Sequence, residues 1–165
     1  MRLVEGVVDV DDVDAFVADL DVVAAESGAT IQAFDARYVV SRRHLERAVE
    51  LADRAIDRGE AIARNRAVEI LLYAAGRRQI TDALELGVSE GENRVVVLVD
   101  ADQGMGDGDS TEADAADVVR SQVLDAAEST LGNYDTERVR EYFEIDDDEL
   151  DVADGDLEAL VLERV

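Results

Sequence analysis

Apolar and polar residues follow three different spacings along this chain, and each spacing predicts a different kind of element. Leu3 to Val10 is Val-rich and runs into Asp11 and Asp12, the pattern of a strand followed by a helix start. Asp11 or Asp12 can cap a helix whose apolar residues Val13, Phe16, Val17, Leu20 and Ala24 recur every three or four positions, and Gly28 ends it. Thr30 to Phe34 reads as a short apolar strand, and Tyr38 to Val40 as a second extended piece or a turn. Ser41 is placed to cap a helix reaching Arg58, with Leu45, Ala48, Val49, Ala52, Ala55 and Ile56 on its apolar face and Gly59 as its stop. Arg66 to Ala75 is apolar nearly all round, so that helix should be buried. Gly76 breaks it, and Gln79 to Leu86 predicts a short helix closed by Gly87.

Between Arg94 and Asp100 the run Val-Val-Val-Leu-Val is apolar throughout and predicts a central strand. A helix follows over Ala113 to Leu131, with Ala115, Val118, Val119, Val123 and Ala126 turned inward. The remaining residues predict a short helix through Val139, Tyr142 and Phe143, an acidic turn, and a final amphipathic segment carrying Leu157, Leu160, Val161 and Leu162. Three or four strands with helices concentrated in the middle favour an α+β fold, a small and mainly antiparallel sheet packed against several helices in two layers. No internal repeat or long linker divides the chain, so one domain over residues 1–165 is expected.

Composition narrows the chemistry. Val and Ala, 24 of each, supply most of the apolar residues, so the core is built from small side chains. The absence of Cys excludes disulfides, thiolate metal sites and a Cys nucleophile, and a single His argues against His-rich metal sites and a His-centred triad. No apolar run approaches the ~18 residues of a membrane span, and no signal-peptide pattern opens the chain. A soluble, cytoplasmic protein is expected, with no membrane partner, no metal and no cofactor.

Charge adds the most unusual feature. The formal charge is −25, from 41 acidic and 16 basic side chains, and every basic one is Arg. An acidic, Lys-free surface over an Ala/Val core reads as adaptation to a hypersaline cytoplasm, because molar salt shortens the Debye length to about 3 Å and suppresses self-repulsion. Between Arg37 and Arg78, however, ten Arg face six acids, a local charge of +4 against −29 for the rest of the chain. Helix pairs such as Glu50 with Arg54 and Glu60 with Arg64 account for part of that island. They leave Arg42 with Arg43, Arg64 with Arg66, and Arg77 with Arg78.

Other constellations fail on inspection. Gly104-Met105-Gly106-Asp107-Gly108 lies between a strand and a helix, but a dinucleotide fingerprint needs Gly at 109, where this chain has Asp. A calcium loop opening at Asp100 would want Gly at 105 and Glu at 111, where Met and Thr stand. His44 falls on the polar side of its helix, one residue before the apolar stripe, where capping or surface hydrogen bonding is the ordinary role. Glu69, inside an apolar helix, must snorkel or pair with a nearby Arg. No nucleophile with an adjacent base is visible, so no catalytic residues are assigned and an enzyme is not expected.

The segment Ala67-Val-Glu-Ile-Leu-Leu-Tyr-Ala-Ala-Gly-Arg-Arg-Gln-Ile-Thr-Asp-Ala-Leu-Glu-Leu-Gly-Val88 resembles the signature of the kinase-binding regulatory subunit of the KEOPS complex, the TPRKB-type family. There a Glu-containing apolar helix runs into a Gly-x-x-Gln-Ile turn and a short helix ending in Gly-Ile or Gly-Val. The Ile31–Ala36 strand, the Ser41-Arg-Arg-His-Leu45 helix start and the strand at 94–100 fit as well. The likeness covers residues 1–100 well; over 101–165 only the general layout agrees. It implies a non-catalytic accessory subunit of the complex that makes the threonylcarbamoyl modification of adenosine in tRNAs reading codons that begin with A. Such a subunit docks on the small atypical kinase/ATPase of the complex and holds the 3′ CCA end of substrate tRNA.

By position the resemblance assigns tRNA contacts to Arg64 and Arg66, and to Arg77 and Arg78 at the Gly76 turn; Arg42 and Arg43 join them from the basic island. Arg suits the task, since a guanidinium grips phosphate with two parallel bonds and stacks on unpaired bases. The kinase contact should be apolar, with Ile80, Leu84, Leu157, Leu160 and Val161 as candidates either for it or for the protein's own core. An alternative is a protein–protein adaptor whose Arg-rich segment meets an acidic halophilic partner and has no RNA role. A small-molecule substrate is not expected.

Overall fold

The computed structural model describes residues 1–102 and 107–165. The glycines at 104 and 106, considered above for a dinucleotide loop, and Met105 of the calcium comparison lie outside the described residues. In chain order the elements are β1 (Arg2–Val10), α1 (Val13–Ser27), β2 (Ala29–Asp35), α2 (Arg42–Asp57), α3 (Arg66–Ala75) and α4 (Ile80–Ala83). There follow β3 (Gly91–Ala101), α5 (Gly108–Val118), β4 (Ala126–Ala127), α6 (Thr136–Tyr142), α7 (Asp147–Val152) and α8 (Leu157–Arg164). The architecture is α+β with a four-stranded antiparallel sheet, as the pattern predicts. Two compact units emerge, each assembled from two stretches: Met1–Asp35 with Gly87–Thr130, and Ala36–Leu86 with Leu131–Val165.

The first unit holds the sheet, in the order β2-β3-β1-β4. Strand β3 lies between β1 and β2, with Val97 opposite both Val4 and Ala33. Alternation then places Val4, Val8, Ile31, Ala33, Val95, Val97 and Val99 on one face, where they form a core with Leu20 and Val23 of α1 and Ala115 and Ala116 of α5. Val96 and Leu98 are also fully buried, which is why β3 carries no polar alternation between Val95 and Val99.

One predicted element fails in this unit. The helix expected over 113–131 begins earlier, at Gly108, stops at Val118, passes through a π-helical turn at Val119–Val123, and becomes extended at Leu124. Ala126, expected inward on a helix, is instead exposed on the edge strand β4. The physical reason lies across the sheet. The outer edge of β1 offers unpaired backbone groups: the Asp125 amide donates to the Val7 carbonyl at 2.9 Å, and Ala127 pairs with Gly6. Gly6 permits this approach, because a Cβ there would sit 2.4 Å from the Ala126 carbonyl oxygen.

The second unit is helical. Helix α2 packs on α3 and α8, and its buried residues Leu45, Ala48 and Ala52 follow the predicted stripe. Ile56, placed on that stripe, is exposed, as is Val17 of the α1 stripe, so both apolar faces are narrower than the spacing suggested. Ala36–Tyr38 forms a 3-10 turn, and the predicted helix 79–86 is one α-helical turn followed by a 3-10 turn at Leu84–Leu86. The acidic turn after Phe143 contains helix α7, capped by Asp146. Asp12, Asp107, Asp135, Asp146 and Asp156 each accept a backbone N–H at a helix start, so part of the acid load performs local capping.

Candidate nucleic-acid interface

In a chain with such an acid excess an arginine without a carboxylate partner is the exception. All six arginines outside the 37–78 island form ion pairs: Arg2, Arg94, Arg120, Arg138, Arg140 and Arg164. Within the island, Arg42 pairs with Glu46, while Arg47 and Arg54 share Glu50. Arg66 is fixed to Asp53 by two parallel bonds, Nε to Oδ1 at 2.8 Å and Nη2 to Oδ2 at 2.9 Å. Arg43 makes only a loose 3.8 Å contact with Glu158 and is three-quarters exposed. Among the described residues Arg58, Arg64 and Arg78 are exposed and have no ion pair or hydrogen bond from the side chain. Arg58 was not singled out from sequence; the signal was its i−4 neighbour, Arg54, which offers no carboxylate.

These groups do not form one cluster. Helices α2 and α3 run antiparallel: His44 bonds to the Ala74 carbonyl at one end, and Asp53 to Arg66 at the other. Arg42, Arg43, Arg77 and Arg78 therefore belong to one end of the helical hairpin, and Arg58, Arg64 and Arg66 to the opposite end. The ten residues of α3 separate the two ends by roughly 15 Å along the axis. Each end keeps at least one unpaired guanidinium, Arg78 at the first and Arg58 with Arg64 at the second.

Arg77 has a different role from its neighbour. Its guanidinium carbon lies 4.4 Å from the centre of the Tyr142 ring and Nη2 donates to the Tyr142 carbonyl. Burial raises the Tyr142 phenol above its ordinary pKa, and the protonated hydroxyl donates to the Asp82 carbonyl at 2.8 Å. A cleft of about 700 Å³ opens beside this cluster, lined by Arg77, Arg138, Asp82, Glu85 and Glu141 among others. Three carboxylates against two guanidiniums make it no better suited to phosphate than to an amine.

Two polar residues occupy positions the sequence did not foresee. Glu69 neither snorkels nor meets an arginine: it is 1% exposed and accepts the backbone N–H groups of Ile62 and Ala63 in the α2–α3 loop. His44, expected on the polar side, is completely buried. Its Nε2–H donates to the Ala74 carbonyl at 2.8 Å, and its Nδ1 accepts the Val40 N–H at 3.3 Å. The last carbonyls of a helix and the backbone just ahead of one lack intrahelical partners, so one imidazole satisfies both.

Burial lowers the His44 pKa to about 4, only partly opposed by the bond to Ala74. Its unfolded value is near 6.5, so between those values the unfolded chain binds the extra proton and stability falls as the solution is acidified. The slope should reach about 1.4 kcal/mol per pH unit within that window and vanish below it. Denaturant titrations of wild type and His44→Gln from pH 7 to 4.5 should show the stability gap shrinking with acid. Parallel curves would mean that His44 does not titrate as its surroundings require.

Of the apolar candidates, Ile80 and Leu84 are exposed at 41% and 55%. Leu157, Leu160 and Val161 are mostly buried within the protein, although Leu160 also lines a surface cleft with Val152 and Glu163. No helix of the described residues is long and apolar enough to cross a membrane.

A family model described as kinase binding protein CGI-121 matches residues 8–165. The match continues through residues 101–165, where the resemblance read from individual residues had thinned to layout alone. None of the curated proteins matches the chain. With nearly its whole length matched, the chain belongs to the kinase binding protein CGI-121 family.

Proposed function

We propose that this chain is the non-catalytic, kinase-binding subunit of the KEOPS complex and that it holds the 3′ CCA end of substrate tRNA. Supporting this reading is the set of unpaired, exposed guanidiniums, Arg58, Arg64 and Arg78, in a protein whose acids pair with every arginine outside residues 37–78. Keeping them open while carboxylates are in excess is what a phosphate-binding surface requires. A guanidinium also retains bidentate and stacking contacts when molar salt has screened simple attraction. Ile80 on α4 and Leu84 in the 3-10 turn that follows it offer the apolar contact to the kinase.

Filter binding in molar KCl, with intact tRNA and tRNA lacking its 3′ CCA, tests the proposal. Arg64→Glu and Arg78→Glu should each weaken retention of intact tRNA about tenfold, since a charge-assisted hydrogen bond contributes about 1.5 kcal/mol or more. Both should leave Tm nearly unchanged, exposed substitutions costing less than about 0.5 kcal/mol. Arg77→Glu is a poor probe, because it also removes the contact with Tyr142. Equal retention of both RNAs, indifferent to the two substitutions, would sink the RNA role; co-elution with the kinase alone would then favour a protein adaptor.

A further inference from the structure

We infer that Glu69 is a positioning residue for Arg64: its buried carboxylate fixes the backbone of the α2–α3 loop so that this guanidinium is presented in one place. The inference deepens the tRNA-binding reading and depends on it only for the affinity measurement described below.

Residues 60–65 belong to no helix or strand, so this loop lacks the backbone ladder that would normally hold it. A side chain from α3 takes over that task. Both Glu69 oxygens accept the Ile62 N–H, at 2.9 and 3.1 Å, and Oε1 also accepts the Ala63 N–H at 3.2 Å. Burying a carboxylate is costly unless it is well satisfied, and hydrogen bonds to an ionised acceptor are roughly twice as strong as neutral ones. An apolar residue at 69 would fill the space and leave two loop donors unpaired.

The far side of Arg64 is held as well. Asn65 Oδ1 accepts the N–H groups of Ala67 and Val68 as the α3 cap, and Arg66 is locked to Asp53. Arg64 thus lies between two anchored segments, its backbone constrained on both sides while its own side chain is exposed and unpaired. Such an arrangement reduces the ordering cost of binding. It matters most where salt has removed long-range attraction and only short-range placement is left.

Two measurements test this. In amide hydrogen exchange on the whole protein in molar KCl, Ile62 and Ala63 should exchange at least about tenfold more slowly than Ala61 and Arg64, although none lies in a regular element. Glu69→Gln keeps one acceptor oxygen but loses the charge and puts an N–H₂ in place of the second oxygen facing the Ile62 N–H, so it should reduce that protection, and Glu69→Ala, which removes every acceptor, should erase it. Exchange of all four amides at one rate in the wild type overturns the inference whatever happens with RNA, and that comparison does not need the variant to fold. The second measurement is tRNA affinity in a double-mutant cycle. Glu69→Gln should weaken binding several-fold when Arg64 is present and less than about twofold in the Arg64→Ala background. An equal loss in both backgrounds would reduce Glu69 to a general structural residue and overturn its role through Arg64. If the wild type binds no tRNA, the tRNA reading fails and the exchange result still decides whether the loop is latched.

Discussion

Transfer from molar KCl to about 0.01 M salt is expected to unfold this protein. A net charge of −25 over 8748 Å² of surface is one charge for roughly every 350 Å², a mean spacing of about 19 Å. The Debye length is about 3 Å at 1 M salt but about 30 Å at 0.01 M, so neighbouring charges pass from screened to fully interacting. The ion pairs do not offset this. Arg42–Glu46, Arg47–Glu50, Arg54–Glu50 and Arg120–Asp117 are exposed helical pairs, each worth about 0.3–0.5 kcal/mol. A core of Val and Ala leaves little reserve, since a folded domain holds only about 5–15 kcal/mol of stability in all. Losing 5 kcal/mol would lower Tm by roughly 10–20 °C for a chain of this length. Calorimetry or circular dichroism across a KCl series should therefore show Tm falling steadily, then a cooperative loss of helix. A Tm unmoved by dilution would remove the physical account of both the acid excess and the missing Lys.

Gly76→Ala should be among the most destabilising single substitutions, at about 3–4 kcal/mol. Gly76 ends α3 in the left-handed region, at φ +62°, where a Cβ costs roughly 1–2 kcal/mol. That Cβ would also stand 2.5 Å from the Arg164 carbonyl oxygen. The obstacle is backbone, so the end of α8 must move. Arg164 donates from Nε to the Phe143 carbonyl at 2.6 Å and pairs with Glu149, so moving its backbone disturbs both contacts. Gly59 provides the internal control: its φ is +70°, and nothing lies within 4 Å of its would-be Cβ. Gly59→Ala should cost the conformational penalty alone, and the difference between the two in chemical denaturation isolates the collision. Equal losses would show that α8 yields without resistance. The glycine that opens the Gly-Arg-Arg-Gln-Ile signature is thus required by backbone geometry and close packing, whatever its arginines bind.

These results separate what could be read along the chain from what could not. The starts of α1 and α2 were legible because a cap is a local device: Asp12 and Ser41 accept N–H groups three residues ahead. The buried character of α3 and β3 was equally plain, since an apolar run has nowhere to go except inside. The helix over 113–131 was misread because Ala and Val suit its periodicity, while the competing partner, the free edge of β1, lies more than a hundred residues earlier. Gly6 was the only hint, and a lone glycine in a strand does not say what approaches it.

The arginine island shows the same division. Its existence, its basic balance and the family it resembles were properties of the sequence alone, because composition and motif order require no coordinates. Which arginines are open was decided by tertiary contacts. Arg66 and Arg64 are two positions apart, yet one is locked to Asp53 and the other is unpaired, for Asp53 arrives on another helix. Glu69 and His44 were misplaced for a related reason: their partners are backbone groups left unsatisfied by loops and helix ends, which become visible only once those ends meet. Sequence by itself determined most of the elements, the acid excess and the family resemblance. The folded structure decided which charges pair, which remain open, and how the loop bearing Arg64 is held, because those depend on distances between residues far apart in the chain.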